Sequence, residues 1–294
     1  MANIELTRGE RLDQRVVSLL PTLSRSFASK LISDGKVSVN GSTVTKSGFK
    51  LRLTDKVVVD FKTEEFTIPD IDLPVVYEDD DCVVIIKPSG LLTHSKGAFN
   101  PEPSVATWLH NRIKDEVLLD QDKNSLNNRA GIVHRLDRAT SGLLICAKTP
   151  AALKYLQRQF AQRKVKKTYK AVINGQLEPA EAIIDMPIER NPKAPATFRV
   201  GLQGKSAITH YITLATNENY SLVELRPETG RTHQLRVHLA YLKHPVVGDT
   251  FYDGEPADRL YLHAERLEIT IPNGSQRKVF EAPLPADFEA FIGD

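Results

Sequence analysis

The chain has 294 residues, 41% of them hydrophobic and 26% charged, with a formal net charge of +2 and two cysteines. That suggests one or two domains of an ordinary globular protein, and it excludes a disordered or collagen-like chain, a disulfide scaffold, and a cysteine-built zinc ribbon or iron–sulfur cluster. No apolar run reaches the roughly 18 residues of a membrane helix and MANIELTRGERLDQ lacks a basic-then-apolar leader, so a cytoplasmic protein with no membrane partner is expected.

Thr7-Arg8-Gly9-Glu10 has the form of a capping box. It predicts a helix with Leu12, Val16 and Leu19 on its apolar face, ended by Pro21. Ser24 caps a second helix, with Leu23 and Phe27 as its staple and Leu31 continuing the face, and Gly35 stops it. Lys36–Val39 alternates as a strand before the tight-turn pair Asn40-Gly41, and further short strands are expected at Lys50–Leu53 and Lys56–Phe61. Arg11, Arg15, Ser24, Arg25 and Lys30 lie off the apolar stripes and can line an exposed groove.

From Glu10 through Val59, with SRSFASKLISDGKVSVNG at its centre, this arrangement resembles the small RNA-binding module named for ribosomal protein S-four. The resemblance implies that residues 6–61 form an RNA-binding domain whose contacts include Arg11, Arg15, Ser24, Arg25 and Lys30. A dimerisation or packing module is the alternative. Residues 62–72, polar and with one proline, read as a linker.

Residues 73–294 mix strands and helices without regular βαβ alternation, which favours an α+β domain with a mostly antiparallel mixed sheet. Strands are expected at Cys82–Ile86, Leu143–Ala147, Thr168–Asn174, Ala207–Ala215, Ser221–Arg226 and Leu267–Ile271. An amphipathic helix is expected at Ala151–Arg163, and His233–Leu242 has helical spacing.

The charge becomes informative when divided. Residues 1–60 carry ten Lys/Arg against six Asp/Glu, and Arg138–Leu177 carries nine cations and no carboxylate. Two basic stretches on a near-neutral chain suit a polyanion, although a solvated lysine-rich helix face is an equal alternative on charge alone.

The chemical focus is His134-Arg135-Leu136-Asp137-Arg138, followed by Ala139-Thr140-Ser141-Gly142 and a buried strand. Such charges cannot enter a core unpaired, and a turn after Asp137 would hold its carboxylate at the lip of a cleft. Read without context, it is an aspartate capping a turn or pairing with arginine. The segment resembles the signature HRLDxxTSG of RluA-type pseudouridine synthases. KPSGLLTH (87–94), KKTYKAVINGQL (166–177), ETGRTHQLRVHLAYLKHPVVGDTFYDG (228–254) and LYLHAERLEITIP (260–272) follow in the expected order.

The resemblance implies isomerisation of uridine in structured RNA to pseudouridine, with ribosomal RNA favoured and transfer RNA as the alternative. It implies no cofactor and no metal. The sequence has no Walker loop, GxGxxG, HExxH or CxxC. The resemblance assigns catalysis to Asp137, acting on the sugar, the base or a sugar proton. It also implies that Arg135 fills the space left by a flipped uridine and that Tyr169 stacks on the free uracil. By the same resemblance Arg231 is expected to pair with Asp137, and Leu235 is expected to pack on the base edge. An ordinary strand aromatic is the alternative for Tyr169, and core packing for Leu235. A monomer is expected. A non-catalytic RNA-binding or ribosome-assembly protein is the rival reading; a glycosidase, which needs two carboxylates at a defined separation, ranks lower.

Overall fold

The structure is a computed structural model that describes residues 7–292 apart from 8, 22, 62–67, 96–101, 114–117, 119–128 and 130. It contains two compact units, residues 1–71 with 94–130, and residues 72–93 with 131–294. Most of the expected linker, 62–67, lies outside the described residues, as does Arg8 of the expected capping box.

In the first unit, α1 (Leu12–Leu19) and α2 (Arg25–Ser33) pack over a three-stranded sheet of β1 (Val37–Val39), β2 (Ser42–Thr43) and β3 (Val57–Val59), ordered β2-β1-β3. The cap of α1 is Arg11 rather than the Thr7–Glu10 box, and Leu19 is exposed while Leu12 and Val16 are buried. Ser24 caps α2 by accepting from Phe27 N at 3.2 Å, and Leu23, Phe27 and Leu31 are buried as expected. Asn40 and Gly41 take φ of 53° and 83°, the two left-handed residues of a tight hairpin turn between β1 and β2. Lys50–Leu53 is not a strand. Leu51 N instead donates to Glu10 O, and Lys50 bridges Arg11, tying the entry of α1 to the sheet side. A helix, α3 (Val105–His110), capped by Ser104, was not expected and also belongs to this unit.

The second unit is built on a nine-stranded mixed sheet. Its strands are β4 (Val75–Glu78), β5 (Cys82–Lys87), β6 (Ser141–Ala147), β7 (Lys166–Asn174), β8 (Glu181–Asp185), β11 (Ile208–Thr216), β12 (Tyr220–Pro227), β13 (Leu262–Thr270) and β14 (Arg277–Glu281). The order is β4-β5-β6-β13-β7-β12-β11-β8, with β14 on β13. Among the described residues only β6 and β13 run parallel. A separate hairpin pairs β9 (Ile188–Arg190) with β10 (Phe198–Val200). The helices are α4 (Pro150–Ala161) and α5 (Gln234–Tyr241), with a terminal 3-10 turn at Ala286–Phe291.

This is the α+β, mostly antiparallel architecture that the strand pattern predicts. β6 is buried at every residue and reads as a continuous apolar run. Its register with β13 depends on Gly142: φ is +112°, and an added Cβ would sit 2.6 Å from Ala264 N. One side of the central strands packs Ala171, Ile173, Val223 and Leu225 against Leu235 and Leu239 of α5. That packing sets α5 against the sheet and fixes the wall of a cleft.

Candidate active site

A cavity of about 500 Å³ opens in the second unit between the 134–140 loop, β7 and the 227–236 segment. Its lining includes Arg135, Asp137, Tyr169, Arg231 and Leu235, so the five residues expected at the reaction centre come together.

The Asp137 loop is held from below by KPSGLLT. Lys87 is fully buried, and its Nζ donates to the carbonyls of Pro88, Leu91 and Arg138 at 2.8, 2.9 and 3.0 Å. Burial pulls that amine down to about 7, against the opposing charge of Asp137. Ser89 Oγ donates to Ala139 O at 2.7 Å, and Thr93 Oγ1 to Leu136 O at 2.9 Å. The Asp137 side chain, 18% exposed, thereby reaches the cavity from a pinned backbone.

The cation that meets Asp137 is Arg236, not Arg231. Arg236 Nη1 lies 3.2 Å from Asp137 Oδ2. The same guanidinium grips buried Asp249 through Nε and Nη2 at 2.6 and 2.7 Å, and it lies 5.4 and 5.1 Å from the rings of Phe251 and Tyr252. Arg231 instead donates from Nε to Ser206 O at 2.9 Å, at the cavity mouth. The reason is local. His233 takes a left-handed φ of 57° at the cap of α5, which turns the chain into the helix, so the inward arginine is the third helical residue. A signal was present: in QLRVHL, Arg236 sits in an otherwise buried run and must find carboxylates there.

Two further cavity residues, His233 and His134, have no role assigned from the sequence. His233 Nε2 lies 3.8 Å from Asp137 Oδ2 while Nδ1 is 2.8 Å from Tyr252 Oη. Burial lowers the His233 pKa, with Asp137 working against it. His134 stacks on Phe160, and its Nε2 accepts from Ile145 N at 3.1 Å. Burial, and to a lesser degree the charge of Lys167, pulls it down to about 3, so it is neutral.

Tyr169 faces the cavity from β7, and burial and the Asp137 charge push its phenol well above the ordinary range. It is a neutral aromatic surface beside a carboxylate. Leu235, 7% exposed, belongs to the core cluster and also lines the cavity. The lining also carries Arg135, Arg163, Lys167 and Arg231, none of which has a carboxylate partner among the described residues. Such a rim suits a polyanion threaded past one buried, paired carboxylate.

In the first unit, Asp13 is 2% exposed and pairs with both Arg11 and Arg25, at 2.9 and 3.1 Å. Burial raises the Asp13 pKa, but the two guanidiniums outweigh it and hold the carboxyl below its usual 3.8. Lys30, 64% exposed, lies 3.7 Å from Asp34. Ser24 uses its hydroxyl as the α2 cap. Among the described residues no helix is long and apolar enough to cross a membrane, and no group of His, Cys, Asp and Glu could hold a metal ion.

Comparison with known proteins points to one family. Residues 81–241 match the RNA pseudouridylate synthase family, and residues 10–57 match the S4 domain. The chain is 36% identical to ribosomal large subunit pseudouridine synthase D of Vibrio parahaemolyticus, over 96% of this chain and 90% of that one. It is also 36% identical to the same-named protein of Escherichia coli, over 97% and 90%. The solved human RNA pseudouridylate synthase domain containing 1 is 28% identical and covers 76% of this chain and 86% of its own, with a TM-score of 0.58. Human RNA pseudouridylate synthase domain containing 4, at 24% identity, covers 73% and 90% with a TM-score of 0.57 and shares the fold. With the family match spanning Asp137, Tyr169 and Arg236, the chain belongs to the RNA pseudouridylate synthases and is an RNA-modifying isomerase with an N-terminal S4 domain.

Proposed function

We propose that the chain converts specific uridines of large-subunit ribosomal RNA to pseudouridine, with Asp137 as the catalytic carboxylate. One observation carries the reading: a largely buried carboxylate, paired with a shared arginine at 3.2 Å, stands beside a neutral tyrosine ring inside a cation-rimmed cavity. In the reaction the bond from uracil N1 to C1′ breaks and one from C5 to C1′ forms. The C5 proton leaves and N1 gains one, so atoms and electrons balance without an oxidant. A uridine must leave its stack to enter the cavity. Arg135 fills the space it vacates, Tyr169 supports the freed base, worth about 1–3 kcal/mol per stacked base, and Leu235 closes its edge.

Arg11, Arg15, Arg25 and Lys30 contact RNA phosphates, while Ser24 shapes the surface as a helix cap. Two properties of the curated relatives support the ribosomal assignment: their names and their full-length similarity, S4 domain included. With that substrate the enzyme works in the cytoplasm. The test is tritium release from ribosomal RNA carrying carbon-5 tritiated uridine. Wild-type protein releases tritium, and Asp137→Asn binds the RNA but releases none. Release at the wild-type rate by Asp137→Asn rejects the residue, and an inactive wild type that binds tightly favours a non-catalytic assembly factor.

A further inference from the structure

Lys167 stands out on β7. Two lysines of that strand meet opposite fates. Lys170 points to the face where Glu224 and Glu265 receive it at 2.6 and 3.6 Å. Lys167 shares the other face with Tyr169 two residues on and lines the same cavity. It is half-buried, yet among the described residues no carboxylate or carbonyl accepts from its amine. His134, which feels the Lys167 charge, offers no acceptor, because it is neutral and its Nε2 already accepts from Ile145 N.

A half-buried ammonium with no partner costs stability in the free protein. Burial draws Lys167 down to about 8. That cost makes sense if an anion arrives with the substrate. The position says which. Lys167 also lines the neighbouring groove, of about 1010 Å³, which shares Arg163 and Glu228 with the cavity and is of mixed charge, with Arg226 and Arg266 set among five glutamates. It therefore sits where chain would pass from the cavity to the surface. Two residues along a strand span about 6.6 Å, the order of the distance between a nucleotide's base and its phosphate.

Resting on the reading of the cavity as a uridine site, we propose that Lys167 binds the backbone phosphate adjoining the flipped nucleotide. Tyr169 and Lys167 then form one unit on one strand face, the ring holding the base and the amine anchoring the backbone while the base is detached. The anchor matters after glycosidic cleavage, when only the phosphodiester path keeps the sugar in register with the uracil.

The experiment uses the full chain and an RNA from which the wild type releases tritium, so failure of the uridine-site reading shows first, as no release from any RNA. Binding is measured in the Asp137→Asn background. Lys167→Met should weaken binding roughly tenfold or more and reduce the slope of log K against log salt by about 0.7–0.9, with Lys167→Arg retaining the slope. An RNA with one uncharged methylphosphonate beside the target uridine should bind the Lys167 protein equally weakly, and it should bind Lys167→Met no worse than native RNA does. Free Lys167→Met should melt no lower than wild type. Additive losses, an unchanged slope, a lower melting temperature, or a methylphosphonate series in which no linkage beside the target weakens wild-type binding would each overturn the assignment. A loss for Lys167→Met with full tolerance of the methylphosphonate would move the amine to the uracil carbonyls instead.

Discussion

At the scale of single residues, the site turns on one arginine serving two aspartates. Arg236 is 6% exposed, and removing it leaves Asp249 buried with no guanidinium and Asp137 without its 3.2 Å partner. Arg236→Met should destabilise the catalytic unit by about 3–5 kcal/mol, read by urea unfolding, and abolish tritium release. Arg231→Ala, which loses a bond to Ser206 O at the mouth, should keep the fold and raise KM. Equal unfolding midpoints for Arg236→Met and wild type would contradict the paired geometry. Asp137 was legible through the likeness of its segment to the HRLDxxTSG signature, because the local charges alone read equally as an aspartate that caps a turn or pairs with arginine. The partner was not legible from TGR spacing. A left-handed His233 decides which arginine turns inward, and nothing in the identities of Thr232 or His233 announces that conformation.

At the scale of elements, apolar runs marked β5, β6, β7, β11 and β12 to within a few residues, because burial on both faces or clean alternation fixes them. The strands that escaped notice are short, half-exposed or at edges, such as β4, with Val75 and Val76 exposed, and β8, with Ile183 exposed. Their pairing comes from neighbours rather than from their own pattern. The parallel joint of β6 and β13 is the element on which the Asp137 loop ends, and Gly142→Ala should cost about 2–5 kcal/mol by forcing a positive-φ alanine into Ala264. A melting temperature equal to wild type would count against that register. In the first unit, Asp13 joins α1 to α2 through Arg11 and Arg25. Its folded pKa is depressed, so the stabilisation is complete above about pH 3.8 and fades as pH falls through the lower folded value. Hydrogen exchange of α1 and α2 amides should show Asp13→Asn weaker on the order of 1 kcal/mol near neutrality, with the gap closing in acid.

At the scale of the whole molecule, two RNA-contacting units on one chain make the second encounter intramolecular, so affinity for an RNA engaging both exceeds that for one engaging the cavity alone. Chemistry and recruitment should then separate cleanly. Arg25→Gln with Lys30→Gln removes two exposed cations of α2, while Arg11 stays on Asp13. Each lost phosphate contact lowers the salt slope by about 0.7–0.9. On full ribosomal RNA the double variant should show a raised KM and a slope lower by about 1.4–1.8, with kcat unchanged. On a short hairpin bearing only the target uridine it should match wild type in both constants. An equal loss on the hairpin would mean that the α2 cations support the cavity rather than a second contact. Unchanged behaviour on both RNAs would leave α2 a packing element, with recruitment resting on the cavity rim of Arg135, Arg163, Lys167 and Arg231.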